Sequence, residues 1–487
     1  MALKTYTFQE PQGLNTMQSP ANLSDKYAVL FENAIIDDSG AIAKRFGYVK
    51  SGSAISGNPL IKNLFLYIKN DGSKTKIAAA GNSLYKQNAD GTWTAIKTGL
   101  SSTAKFTAVN FQNKIIFFNG YDMPFYYDGS SCTNVSGTPT EWTTGNCPSI
   151  VYLHKNRLFA GGLPSNLKMV YYSALGKIND WTTANDAGYI NLAENAHASS
   201  MLTDIMAWEG YLVFFLDEES LIWSWDTPST SSLSKILPVG AYYGRVQRFG
   251  NDLIFLSTSG LKTLTRSLQS GQLNIQNISD AVENYIQDLI RLASDISTAI
   301  YPFKRWVLLF FGVYTLVYDY DHKAWYRFSG IDAQSFLTDE ADLYFGDSNG
   351  QLYIFDDEIY SDDGEAISMT YQTPWLHLGK ISTYKKPVFL TCLIGEGSLG
   401  EFEMKQFLSL RDSPSVTTTK TMTISDNSYW RSSYWRVSLW RSLKIRQYKI
   451  PLGGRGDLVA YKFSHSEESK QFSIVLNELI FRDGGFR

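Results

Sequence analysis

The stretch SYWRSSYWRVSLWRS, residues 428–442, repeats one pair three times: Trp430-Arg431, Trp435-Arg436 and Trp440-Arg441, five residues apart. Arginine beside tryptophan can stack on bases, meet lipid headgroups or anchor a protein partner. The spacing fits neither common period. On a strand, successive pairs would change face; on a helix they would step by about 140°. Ser432, Ser433, Ser438 and Ser442 favour a loop or a short irregular ladder. The neighbourhood is basic, with Lys420, Arg431, Arg436, Arg441, Lys444, Arg446 and Lys449 against Asp426. Taken alone, that composition suggests a nucleic-acid stripe. The chain as a whole has a formal net charge of -3, so strong non-specific DNA binding by its general surface is not expected.

Other chemistry-bearing patterns have ordinary readings. Gly395, Gly397 and Gly400 spell GxGxxG after the apolar run PVFLTCLI. A dinucleotide fold needs a helix there, whereas EFEMKQF alternates like a strand, so the glycines are expected in a hairpin turn. Gly72-Ser73-Lys74-Thr75 has the wrong order for a P-loop, and Tyr67 stands where its first glycine should be. Arg455-Gly456-Asp457 is explained by a Gly-rich loop before a strand. Asn88-Ala89-Asp90-Gly91-Thr92-Trp93 is close to the Asp-box turn of sialidase propellers but lacks the residue between Asp and Gly, and Asp-Gly is also a common hairpin turn. His154, His197, His322, His377 and His465 are scattered, with no HExxH or HxH, so no metal site is expected. The acids Asp217-Glu218-Glu219, Asp356-Asp357 and Asp362-Asp363 are expected as solvated loop acids. There is no GxSxG elbow. No cofactor and no catalytic residue are assigned.

The elements that must position these residues are β-strands. Aromatics make up 14% of the chain and charged residues 19%, below the usual share of roughly 25%. That balance favours half-buried pleated surfaces. Cys132, Cys147 and Cys392 form no CxxC and fit a reducing compartment, although a Cys132–Cys147 bridge stays open. The N-terminus has no apolar signal core, and the run 306–318 is too short to span a membrane and contains Gly312.

One unit recurs: a short apolar strand, a Gly/Asn/Asp turn, an aromatic strand and often an Asp exit. It appears at 65–93, 106–129, 150–173, 204–226, 246–267, 299–321 and 333–356. Gln112-Asn113, Lys155-Asn156, Glu209-Gly210 and Gly250-Asn251 mark the first turn in four of these units. Such a repeat predicts a β-propeller of about seven blades. Residues 278–295 interrupt it with a helical insertion, with Val282, Ile286, Leu289, Ile290 and Ala293 on one face and Ser279 as candidate N-cap. Residues 1–58 form an N-terminal arm with a hairpin turning at Asp37-Asp38-Ser39-Gly40. The propeller takes 59–362. Residues 363–487 hold seven strand-like runs, which predict a C-terminal β-sandwich. The fold class is all-β.

Four stretches resemble the tail nozzle, or tail hub, proteins of short-tailed bacteriophages, also called packaged-DNA stabilisation or tubular tail proteins. They are 19–52 with Lys44-Arg45-Phe46-Gly47, 151–192 with its Asn-Arg-Leu, Tyr-Ser and Asp-Trp series, 369–387, and the closing 475–487. The resemblance implies a homo-oligomeric ring, a hexamer, at the distal end of a portal–adaptor stack. It also implies an outer propeller and β-domains that build a tube retaining packaged DNA and later letting it pass. Tail adaptor and portal-side proteins, and a tail fibre or needle, are the implied partners. The implied location is the virion, after synthesis in the bacterial cytoplasm.

A conduit must let DNA slide, so a strongly basic lumen would hold back the cargo. This turns the Trp-Arg series toward assembly: Trp430, Arg431, Trp435, Arg436, Trp440 and Arg441 are the interface candidates, with tryptophans packed on their own sandwich as the alternative. The rival functions are a propeller that binds carbohydrate or a receptor, and a propeller glycosidase.

Overall fold

The computed structural model describes residues 2–184, 186–266, 273–379, 383–395, 397–409, 416–424 and 446–486. Seven four-stranded antiparallel units follow one another, and we number them as blades: 61–97, 107–134, 150–191, 202–237, 243–277, 297–328, and 335–356 completed by Gly47–Lys50. The first strand of each blade lies innermost and touches the first strand of the next, and the first strand of blade 7 touches that of blade 1. Together these units form a seven-bladed β-propeller.

Local chemistry sets the blade hairpins. Gln112 and Asn113 (φ 53° and 57°), Lys155 and Asn156 (44° and 65°), and Glu209 and Gly210 (48° and 87°) all take left-handed backbone. Paired positive φ matches the right-handed twist of the flanking strands, which is why Asn and Gly recur there. Apolar side chains of adjacent blades fill the space between them. Leu64, Ala78 and Ile61 pack on Leu337, Tyr344 and Leu352, closing blade 1 on blade 7.

Gly47–Lys50, expected in the arm, is the outer strand of blade 7, with Lys50 opposite Tyr353 and Gly47 opposite Asp356. A propeller closed by a strand from the other end of the chain cannot open at that blade without breaking a ladder. Residues 51–58 of the arm pack on blades 1 and 7, Leu14 bonds to Trp325 of blade 6, and Leu3–Thr7 and 30–44 join the C-terminal sheets. Ala34–Ile36 and Ile42–Lys44 form the expected hairpin, whose turn is held by Asp37 Oδ1 accepting from the amides of Ser39 and Ala41.

All seven C-terminal runs are strands, and they form a sandwich of two sheets. One sheet runs in the order 34–36, 42–44, 473–486, 383–394, 446–451, with 3–7 also pairing on 473–486. The other is continuous with blade 6. Its outer strand Ala324–Phe328 pairs with Leu30–Glu32, followed by Met369–Gln372, Val459–His465, Gly400–Leu408 and Val416–Ile424, making nine strands. Phe402, Met404, Gln406 and Leu408 point inward at every second residue, as a half-buried strand requires.

Two local expectations are corrected. The glycines 395–400 do not turn a hairpin, because Thr383–Ile394 and Gly400–Leu408 lie in opposite sheets. Gly397 and Gly400, with φ of 77° and 91°, arch the chain across the core. The helix is Glu283–Leu292, with Val282 at the N-cap position and no side-chain cap. Ser279 lies a turn ahead of that position, and its hydroxyl instead accepts from the Leu261 amide at 2.9 Å and donates to Asn277 at 2.9 Å. Ile286 and Leu289 are the buried face of the helix.

Candidate assembly joint and axial channel

Lys44-Arg45-Phe46-Gly47 sits where propeller and sandwich meet. Arg45 is 1% exposed, yet all five of its N–H groups have partners. Nε donates to Asn33 (2.9 Å); one terminal nitrogen donates to the Phe46 carbonyl (3.0 Å) and Asp362 (2.8 Å). The other donates to the Ser329 carbonyl (3.0 Å) and to the second oxygen of Asp362 (2.6 Å). Arg45 thereby ties the arm, the end of blade 6 and the strand after blade 7 into one knot. Phe46 stacks on Trp306 of blade 6 (5.3 Å, 9°) and meets Phe355 of blade 7 edge-on. Gly47 is required by space: a Cβ there would stand 1.8 Å from the Ser361 carbonyl oxygen. Lys44 reaches into the sandwich, donating to the Glu467 (2.7 Å) and Lys470 (3.3 Å) carbonyls. Burial, reinforced by neighbouring Arg45, lowers its pKa to about 8.

Asp362, expected as a solvated loop acid, is instead the buried partner of Arg45, because the strand that carries it is drawn against Gly47–Lys50. Asp363 keeps the surface role, paired with Lys50 at 2.7 Å. The other motifs resolve in a similar way. Asp90 caps its own turn through Thr92. Asp457 of Arg-Gly-Asp is buried and accepts from Ser409 at 2.5 Å.

The Asn-Arg-Leu, Tyr-Ser, Asp-Trp series of blade 3 is one bonded unit. Arg157 donates to the Ser173 carbonyl (2.9 Å) and to Asp186 (2.6 Å), while the Leu158 amide donates to the Ser173 hydroxyl (3.0 Å). The Ala174 amide donates to the Asp180 carbonyl, and Trp181 donates to the Ile178 carbonyl at 2.9 Å. The series is a blade fastener.

The first strands of the blades and the residues leading into them line an axial cavity of about 580 Å³. Its polar side chains stitch blade to blade. Asn63 accepts from the Phe106 amide (2.8 Å), Thr107 from Val151 (3.1 Å) and Asp204 from Val246 (3.0 Å). Gln247 donates to the Thr298 carbonyl (3.3 Å) and Ser335 to that of Ile61 (3.2 Å). Innermost strands leave backbone groups facing the axis, and these side chains satisfy several of them. Lys105, entering blade 2, pairs with Asp295, entering blade 6, so the pair spans the mouth between nearly opposite blades.

Elsewhere, buried Asp319 receives Trp306 (3.1 Å), Tyr326 (2.9 Å) and His322 (2.9 Å), a satisfied network in blade 6. Burial lowers the pKa of His465 to about 4, and the ring lies flat on Phe472 (4.8 Å, 7°). Burial raises the three thiols, Cys132 and Cys147 to about 11 and Cys392 to about 12; all are free. Among the described residues, no His/Cys/Asp/Glu group could hold a metal ion, and no helix is long and apolar enough to cross a membrane.

Trp430, Arg431, Trp435, Arg436, Trp440 and Arg441 lie outside the described residues. The strands on either side of them, Val416–Ile424 and Arg446–Pro451, are the last strands of opposite sandwich sheets.

No protein-family model matches the chain, and no curated protein matches it. The solved structures similar to it include the WD40 β-propeller domain of Doa1 (11% identity, 64% of this chain and 98% of that one, TM-score 0.43). Virginiamycin B lyase from Staphylococcus aureus (10%, 64% and 98%, 0.43) and YCF48 from Cyanidioschyzon merolae (11%, 63% and 98%, 0.41) are also similar.

Proposed function

We propose that the chain is a propeller-based binding scaffold and, more finely, a non-enzymatic structural protein of a short-tailed phage virion. In this reading several copies, six by the family resemblance, close into the tail nozzle. The ring continues the DNA channel below the portal and adaptor, retains packaged DNA and lets it pass on ejection. The observation that carries the reading is the nine-stranded sheet that runs from blade 6 into the sandwich, pinned by Arg45. A ring wall under outward load needs two modules that move as one body, whereas a flexibly linked binding domain does not.

Two further features support it. The axial cavity is crossed by Lys105–Asp295, so a duplex would run between copies and not down the propeller axis. The net charge of -3 leaves the lumen free of a strong general pull on phosphate. The glycosidase alternative loses support where Asp204 and Asp295 are already engaged.

The test is sedimentation of the full chain with a portal–adaptor stack. Co-sedimentation as a multimer is expected; a chain that stays monomeric and unbound contradicts the reading.

A further inference from the structure

The contacts between blades are filled with apolar side chains around most of the propeller, but the outer halves of blades 5 and 6 stand apart. The cleft between them has a volume of about 640 Å³, within the range of small-ligand sites. One wall is the cross-strand pair Thr263 and Gln276 of blade 5; the other is the pair Tyr318 and Trp325 of blade 6. The N-terminal arm forms the rim through Gln12 and Tyr27. Tyr320 donates to Asp252 of blade 5 at 3.0 Å, which fixes the width of the cleft.

The cleft differs from the axial cavity in one decisive respect. In the axial cavity the polar groups hold neighbouring blades together. In the cleft, the side-chain amides of Gln12 and Gln276 and the hydroxyls of Tyr27 and Tyr318 have no hydrogen-bond partner among the described residues. Half-buried Tyr320 presents the ring on this wall, with the buried rings of Tyr318 5.9 Å from it and Trp325 5.1 Å from Tyr318 behind it, so the blade 6 wall is aromatic.

We propose that this cleft binds a neutral carbohydrate. A sugar ring presents an apolar C–H face and a rim of hydroxyls that both donate and accept. Aromatic rings suit the first. Primary amides, each with one acceptor and two donors, suit the second. Lys323 and Asp280 balance in charge, and no cluster of cations is present that would select a phosphate. The proposal rests on the binding-scaffold reading and not on the ring.

The test is saturation-transfer NMR on the full chain with maltotriose, cellotriose and chitotriose as probes. Transfer to at least one is expected, with affinity at least fivefold weaker in Gln12→Ala/Gln276→Ala and abolished in Gln276→Trp, which fills the cleft from its blade 5 wall. Both glutamines are exposed, so the thermal midpoint of the double variant is expected to stay at the wild-type value. No transfer to any probe, or transfer that both variants leave unchanged, overturns the proposal. Either result leaves the ring reading standing, since that is read separately by sedimentation.

Discussion

Replacing Arg45 by methionine is the most informative single perturbation of the joint. The substitution keeps an apolar stem but removes five donors at a position 1% exposed. It leaves the Asp362 carboxylate, itself 9% exposed, without its bidentate partner, and the Ser329 and Phe46 carbonyls lose their donors. Breaking a buried ion pair from one side costs about 3–5 kcal/mol, because the remaining charge stays buried and unpaired. The two lost carbonyl bonds place Arg45→Met at the upper end of that range. Adding Asp362→Leu removes the stranded charge. The double variant is therefore expected to be more stable than Arg45→Met, with a coupling of about 2 kcal/mol or more between the sites. Guanidinium unfolding followed by tryptophan fluorescence measures all four corners of the cycle. A cost below about 1 kcal/mol for Arg45→Met, or strictly additive single effects, would refute the joint.

Acid stability reports on His465. Its pKa is about 4 in the folded chain, against about 6.5 for an ordinary imidazole, because burial disfavours the charged ring. Between these values the unfolded chain binds more protons, so the stability His465 contributes is complete above pH 6.5 and is lost as pH falls toward 4. His465→Leu is expected to flatten that limb in denaturant midpoints taken from pH 7 to 4.5; parallel curves would remove His465 from the account. Gly47→Ala is expected to unseat the closing strand of blade 7, seen as faster amide exchange in 47–50 and 352–356, whereas unchanged protection would show that the joint can absorb a Cβ. Thr107→Val strands the Val151 amide and the Ser149 carbonyl, with an expected cost of about 1–3 kcal/mol in equilibrium unfolding. A neutral result there would mean the axial stitches are dispensable.

About seven blades were legible in the sequence because the strand–turn–strand unit recurs and several hairpins carry a local signal, such as Lys155-Asn156 or Glu209-Gly210. The seven sandwich strands were legible for the same reason. What local signals do not carry is partnership. Gly47–Lys50 reads as part of an arm, and only the tertiary ladder to Leu352–Asp356 makes it the last strand of blade 7. The glycines of 395–400 announce a turn but not whether it stays within a sheet. Asp362 looks like any loop acid until Arg45, 317 residues away, is seen against it. A buried arginine needs a carboxylate, so Lys44-Arg45-Phe46 between apolar runs was the signal that could have prompted a search for one. The cleft between blades 5 and 6 draws on residues from 12 to 325 and leaves no mark at any single position.

Electron cryo-microscopy of the full chain assembled on a portal–adaptor stack shows whether the chain closes into a nozzle ring. A closed ring with a central hole is expected, the sandwich domains lining the hole and the propellers outside. A ring lined by the propellers, or single copies attached at the periphery with no shared lumen, would contradict it.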